Sequence, residues 1–329
     1  MIISRTPLRM SFVGGGSDMA VFYREHGGAV LSTAIDKYVY VNLNKKFDGG
    51  TRIAYSKTEE VSEVADIEHA IVRETLLHMG IPGGVEITTI ADIPSKGTGL
   101  GSSSSFTVGL INALMAFSGR HISAEDLGAL SCAIEIEKCG APIGKQDQYA
   151  AAYGGLNLIE FKKNDSVVVT PIVLPREQQR LLERRIIVFY TGITRSASAV
   201  LQAQSEAVVN EVDKRDALIE MVRLAYRLRD DFGRGDISTF GPTLHENWAL
   251  KKSLNSGVSS SQIDEWYELA RCAGADGGKI LGAGSGGFLM FYAPEDAHPR
   301  IAAALSELRR VSFSFDPLGS RIIFYNPTV

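Results

Sequence analysis

The stretch IPSKGTGLGSSSS, Ile93 to Ser105, decides how the rest of the chain is read. Gly97, Gly99 and Gly101 alternate with two other residues, four serines follow, and an apolar pattern runs from Phe106 to Phe117 directly afterwards. A strand-to-helix turn needs one or two glycines, whereas three in alternation leave consecutive backbone N–H groups uncovered by bulky side chains. Such a loop feeding a helix N-terminus gathers unpaired donors and the positive end of the helix dipole at one point, which favours phosphate. A hydroxyl in the first helical turn can also ligate Mg2+ or touch phosphate, although no Gly-Lys-Ser/Thr of the Walker type is present.

Two other glycine-rich stretches flank this loop in the chain, RTPLRMSFVGGGSD (Arg5 to Asp18) and KILGAGSGGFLMF (Lys279 to Phe291). Gly282, Gly284 and Gly287 satisfy the dinucleotide spacing G-x-G-x-x-G, but that fingerprint needs a strand before it and a helix after it. Here Glu265 to Cys272 precedes as helix and Phe288 to Tyr292 follows as an apolar, strand-like run, so the context rejects a nicotinamide site. In the first stretch Met19 occupies the third glycine position, which weakens that reading there as well. A fourth feature is Gly144-Lys145-Gln146-Asp147-Gln148-Tyr149, following Glu135-Ile136-Glu137-Lys138. A loop Asp flanked by amides and a Lys can orient a hydroxyl nucleophile or serve as its base, because phosphoryl transfer needs positioning and charge neutralisation more than covalent chemistry. Taken alone, such an Asp is more often a helix cap than a catalytic group.

Composition excludes several classes of partner. The chain has 329 residues, 45% of them hydrophobic, and a formal charge of -4, so nothing draws it as a whole to nucleic acid or an anionic membrane. Cys132, Cys139 and Cys272 are odd in number and lack C-x-x-C spacing, which argues against a disulfide framework or a zinc site. The N-terminal stretch has neither a signal-peptide apolar region nor a membrane span. A reduced, cytoplasmic setting is expected.

The periodicity predicts a strand over Met1–Val13, a helix over Met19–His26, paired strands within Ala29–Asn44, a helix over Ile67–Met79 and a strand over Val85–Ile90. A helix from Ser103, a second over Ser123–Lys138 and a strand over Leu156–Phe161 follow. Beyond them the pattern gives a buried strand at Ile186–Tyr190, one long helix over Ala197–Arg229, helices over Pro242–Leu254 and Ser261–Cys272, and a strand over Gly287–Tyr292. A helix over His298–Leu308 and strands near Val311–Phe315 and Arg321–Tyr325 close the chain. The expected architecture is α+β in two units, 1–182 and 183–329, with the boundary within Arg180–Arg185.

With these motifs in this order, the chain resembles the GHMP small-molecule kinases over almost its whole length. The resemblance implies a ribosomal-protein-S5-domain-2-like N-terminal unit, a ferredoxin-like C-terminal unit, and ATP with Mg2+ as cofactors. It maps the nucleotide phosphates onto Gly97, Gly99, Leu100, Gly101, Ser102, Ser103 and Ser104, and the metal onto Ser103 and Glu135, with Glu137 as the fallback. Asp147 is implied as catalytic base, with Arg9 or Lys145 offsetting charge near the acceptor. Gly15, Gly16, Ser17, Asp18, Arg195, Gly284 and Gly286 are implied to bind substrate. Gly15-Gly16 stands where galactokinases have Glu-His, which argues against galactose.

Within the family, the run GGGSDMAVFYREHGGAVLSTAIDKYVYV and Ile134 to Tyr149 look most like the bacterial D-glycero-D-manno-heptose 7-phosphate kinases. That likeness implies phosphorylation of an anomeric hydroxyl to give a 1,7-bisphosphate, a small-molecule sugar phosphate as partner, and Arg24, Lys37, Lys145 and Arg195 as candidates for the 7-phosphate. A kinase for another sugar such as fucose, a catalytically silent sugar binder and a homodimeric assembly stay open at this point.

Overall fold

The computed structural model describes residues 1–93, 97–194 and 197–327. β1 (Ile2–Val13) leads through α1 (Ala20–His26) into β2 (Gly28–Lys45), with which it pairs antiparallel. Paired strands were expected across the β2 region, but one 18-residue strand forms. No glycine or proline interrupts it after Gly28. Its first half pairs with β6 (Leu156–Phe161) and its second half with β5 (Val85–Ala91), so a single strand serves both neighbours.

Between these strands lie β3 (Thr51–Ala54), β4 (Thr58–Val61), α2 (Ala70–Met79), α3 (Ser102–Phe117), α4 (Ala124–Cys132) and α5 (Gln146–Tyr153). With β7 (Val167–Pro171) they complete the first unit. α3 is apolar almost all round and buried along most of its length, as a helix between a sheet and other helices must be. It lies close on β1: a Cβ at Gly109 would sit 2.8 Å from Thr6 Oγ1, and Ser4 Oγ donates to the Gly109 carbonyl at 2.7 Å.

α6 (Arg176–Arg184) spans the expected boundary and leads into β8 (Ile186–Tyr190), α7 (Ala197–Asn210), α8 (Val212–Gly233), α9 (Phe240–Leu254) and α10 (Ser261–Cys272) of the second unit. β9 (Gly277–Ile280), β10 (Phe288–Tyr292), α11 (His298–Ala304) and β11 (Arg309–Val311) follow. The single long helix expected over Ala197–Arg229 is two helices, broken at Glu211, whose backbone is extended at φ -120° and ψ 119°. The break follows Asn210, a weak helix former, and Asp213 then faces the positive end of the new helix.

A four-stranded antiparallel sheet ordered β11-β8-β10-β9 organises this unit. The last strand, β12 (Arg321–Tyr325), leaves it and pairs antiparallel with β1, so the first sheet has eight strands. One core spans both units. Phe240 of α9 meets Phe12 of β1 and Tyr292 of β10 edge-on, with ring centroids 5.0 Å apart in each pair. Among the described residues, no helix is long and apolar enough to cross a membrane.

Candidate active site

The loop before α3 is shaped by backbone conformations that only glycine adopts without strain. Gly99 and Gly101 have φ of +74° and +75°. A Cβ at Gly99 would lie 2.1 Å from the Leu281 carbonyl oxygen, and one at Gly282 would lie 2.4 Å from Gly99 Cα. The third glycine stretch therefore packs backbone to backbone against the second. Gly101 is the residue before the first turn of α3 and has no side chain with which to cap it.

A Cβ at Gly101 would come within 3.2 Å of Asp147 Oδ2, so the carboxylate stands beside the start of α3. Asp147 lies in the first turn of α5, yet its carboxylate is turned to Arg9. Arg9 Nε and Nη2 donate to the two Asp147 oxygens at 2.8 Å each, and Nη1 donates to the Gly99 carbonyl at 2.6 Å. The Arg9 amide also donates to the Leu100 carbonyl at 3.1 Å, while the Leu100 side chain is buried in the core. One arginine thus ties the glycine loop, β1 and the candidate base together. A carboxylate offers about four lone-pair directions, so two remain for a substrate hydroxyl.

Asp18 is buried and accepts from Gly16 N at 3.0 Å, Gln146 N at 3.1 Å and Gln146 Nε2 at 3.0 Å. Burial and then the nearby Asp147 charge raise its carboxyl above the usual range, against those hydrogen bonds. The Ser17 hydroxyl, expected at the substrate, instead bonds the Gly14 and Ala29 carbonyls and holds the turn.

Glu135 reaches the cavity through a local change of helix. After α4 the chain makes a wide π-helical turn over Ala133–Lys138, with Cys139 N donating to the Ile134 carbonyl at 2.9 Å. This turn buries Glu135 and leaves Glu137 exposed and off the cavity. Gln148 Nε2 donates to Glu135 Oε2 at 2.6 Å, and Ser103 Oγ donates to Oε1 at 3.3 Å. Burial raises the Glu135 carboxyl, opposed by hydrogen bonds from Ser104, Gln148 and Thr107. Two oxygen donors at this spacing, one carrying a charge that burial disfavours, suit a small hard cation that takes its other ligands from phosphate and water.

These groups converge on a cavity of about 290 Å³ lined by Arg9, Gly15, Gly16, Asp18, Gly97, Gly99, Gly101, Ser102 to Ser104, Glu135 and Asp147. A second cavity of about 540 Å³ adjoins it, sharing Ile71, Ser102 and Ser103 and walled by Tyr55, His69 and Phe106.

Several expected residues lie elsewhere. Lys145 Nζ donates to the Asp165 carbonyl at 3.1 Å and sits over the Tyr23 ring, so its charge faces the β6–β7 turn rather than the acceptor. Arg24 pairs with Asp165 and Lys37 with Asp36. Gly284 and Gly286 lie off the cavity, since a Cβ there would meet the Val258 and Ile193 carbonyl oxygens at 2.5 and 2.4 Å; Gly282 and Ala283 line it instead. Arg195 lies outside the described residues. Lys251 and Lys279 line the cavity without having been singled out, and Gln146, noted only as an amide beside Asp147, lines it too. Lys251 had a signal: it falls on the face of α9 that carries Leu244, Trp248 and Leu254, all buried, where a lysine is out of place.

Residues 64–155 match the GHMP kinases N terminal domain and residues 228–310 the GHMP kinases C terminal domain. The chain belongs to the GHMP kinase family, and its two-domain fold and phosphotransferase class follow from this membership. It is 30% identical to the D-glycero-alpha-D-manno-heptose 7-phosphate kinase of Campylobacter jejuni over 97% of each chain. It is 25% identical to the galactokinase of Pyrococcus furiosus over 95% of each chain. Among solved structures, a D-glycero-D-manno-heptose 1-phosphate kinase from Bacteroides thetaiotaomicron superposes with a TM-score of 0.81 at 26% identity, covering 99% of this chain and all of that one.

Proposed function

We propose that the chain transfers the γ-phosphoryl group of ATP to the anomeric hydroxyl of D-glycero-D-manno-heptose 7-phosphate, giving the 1,7-bisphosphate. The observation that carries this reading is the Asp147 carboxylate held by Arg9 against the start of α3, on the same cavity as the glycine loop and Asp18. The Gly97–Ser104 backbone and the α3 dipole receive the phosphates, and the adjoining cavity, with the Tyr55, His69 and Phe106 rings in its wall, suits the nucleoside. Asp18 and the Gly15–Gly16 turn orient the sugar. Asp147 accepts the proton of the attacking hydroxyl, and Arg9 balances its charge. Ser103 and Glu135 would hold Mg2+, which supplies charge neutralisation at the transferring group. We place this activity in the cytoplasm, with a homodimer as the assembly to test.

The names of the two heptose-kinase relatives differ in the phosphate position they print, so the acceptor carbon is what the experiment must read. ADP release is measured with heptose 7-phosphate, free heptose, fucose and galactose, and the product is examined by phosphorus NMR. Activity confined to the heptose phosphate, with a new anomeric phosphate signal, is expected. Turnover of fucose but not the heptose phosphate would replace the substrate, and no ADP with any bound sugar would favour a silent sugar binder.

Glu135→Gln separates the metal role from a structural one. Since burial already disfavours the Glu135 charge, the amide costs little stability and still faces Gln148. The Mg2+ concentration for half-maximal activity is expected to rise about tenfold or more, with an unchanged melting temperature in the absence of metal. An unaltered Mg2+ requirement removes Glu135 from the ligand set.

A further inference from the structure

Among the described residues, two of the cavity's buried cations make no ion pair. Lys251 on α9 and Lys279 on β9 line the cavity and are only 4% and 3% exposed. Lys251 Nζ donates to the Gly15 carbonyl at 3.1 Å and Gln204 Oε1 at 2.9 Å. Lys279 Nζ donates to the Ser11 and Phe12 carbonyls at 2.9 and 3.1 Å. All four acceptors are neutral, and among the described residues neither ammonium group makes an ion pair, whereas the third buried cation, Arg9, is balanced by Asp147. Asp18, whose charge reaches Lys251, is already occupied by Gly16 and Gln146.

Such an arrangement is costly when empty. Burial pushes Lys251 down to about 8 and Lys279 to about 7, the latter also repelled by Lys251 and Arg9. Further hydrogen-bonding groups gather around the same point. Among the described residues, the buried Gln204 Nε2 and Ser11 Oγ have no hydrogen-bond partner, and a Cβ at Gly16 would lie 2.2 Å from that Gln204 nitrogen and 3.3 Å from Lys251 Nζ. A wall rich in ammonium and amide donors, without a carboxylate in contact with either lysine, is complementary to a multiply charged anion.

We propose that Lys251 and Lys279 receive the phosphate the acceptor sugar already carries, so that this wall selects sugar phosphates over free sugars. The inference rests on the sugar-phosphate kinase reading above and assigns to Lys251 and Lys279 the role first sought at Arg24, Lys37, Lys145 and Arg195. Both lysines sit on the β1 and Gly14–Asp18 side of the cavity, where the acceptor is held. Arg9, not these lysines, neutralises the candidate base. A free sugar would present only neutral hydroxyls and leave both ammonium groups uncompensated.

The test compares Lys251→Met and Lys279→Met with the wild-type enzyme on heptose 7-phosphate and on unphosphorylated heptose. Each variant is expected to lose about 30-fold or more in kcat/KM for the sugar phosphate, as when one partner of a buried charge pair is removed. The KM for ATP, and any residual turnover of the free sugar, should change far less than this, so that the preference for the sugar phosphate narrows. An equal loss on both acceptors, or a raised KM for ATP, overturns the proposal by placing the lysines on the transferred phosphoryl group. Inorganic phosphate supplies a readout that needs no variant: it should inhibit the wild type competitively against the sugar phosphate, and failure to compete also overturns the inference. Full activity of both variants on the sugar phosphate refutes the lysine assignment alone. A wild type active only on free sugars refutes the substrate reading, and this assignment with it.

Discussion

Asp147→Asn is expected to lower turnover by about 10²-fold or more while ATP affinity stays near that of the wild type. The amide keeps the shape of the carboxylate but cannot accept the hydroxyl proton, and one of its two termini now presents N–H groups to the Arg9 guanidinium. Because Arg9 is almost fully buried and loses its counter-charge, part of the effect falls on stability. Turnover is therefore scored per folded molecule, by active-site titration with a fluorescent nucleotide. The double variant Arg9→Met with Asp147→Asn separates the two contributions. It should recover melting temperature relative to Asp147→Asn, since no unpaired charge is left, and recover none of the turnover. Wild-type turnover in Asp147→Asn would remove this residue from the mechanism.

Gly99→Ala should be the most damaging single methyl group in the chain's phosphate loop. The new Cβ would have to occupy a position 2.1 Å from the Leu281 carbonyl oxygen, on a residue whose φ is +74°. The left-handed backbone costs about 1–2 kcal/mol and the overpacking about 1–3 kcal/mol more, so the loop shifts rather than absorbing both. That shift also displaces the Gly99 carbonyl to which Arg9 Nη1 is bonded, and with it the support of Asp147. Nucleotide affinity and turnover should fall together, by about 10²-fold each if loop amides lose their aim at the phosphates. As a control, Gly119→Ala has a similar φ of +66° but open space around its Cβ. It should lower the melting temperature slightly and leave nucleotide binding intact. Equal nucleotide affinity in the two variants would show that the close contact with Leu281 is unimportant.

The sequence announced the parts of this site that depend on backbone conformation. Alternating glycines before an apolar helix, and a strand ending in Gly14–Asp18, require little tertiary context to be read. Side-chain direction was harder. Lys145 and Asp147 are near neighbours in the chain, yet positions two apart at a helix start do not share a face, and the lysine leaves toward Asp165 while the aspartate turns to Arg9. Spacing alone left Glu135 and Glu137 as alternatives, because the π-helical turn that buries one and exposes the other depends on the loop that follows. Lys251 was legible in principle, as a charge on the buried face of α9, but its significance needs the cavity that β1 and β9 complete. Of the fold, the long periodic helices and apolar strands were readable. The short strands β3, β4 and β9 were not, because segments of four residues carry too little pattern.

The return of β12 to β1 has a consequence for how the molecule is made. While a ribosome is still extending the chain, the first sheet lacks its flanking strand, and Ile2 to Arg5 remain an open edge until residues 321–325 have emerged. Severing the polypeptide near residue 182 would leave that edge bare for good. Joining the ends is another matter: the Met1 amino group donates to the Asn326 carbonyl at 2.5 Å, so a short peptide bridge between them, with new termini opened in a surface turn, should give a circular permutant that retains the sheet.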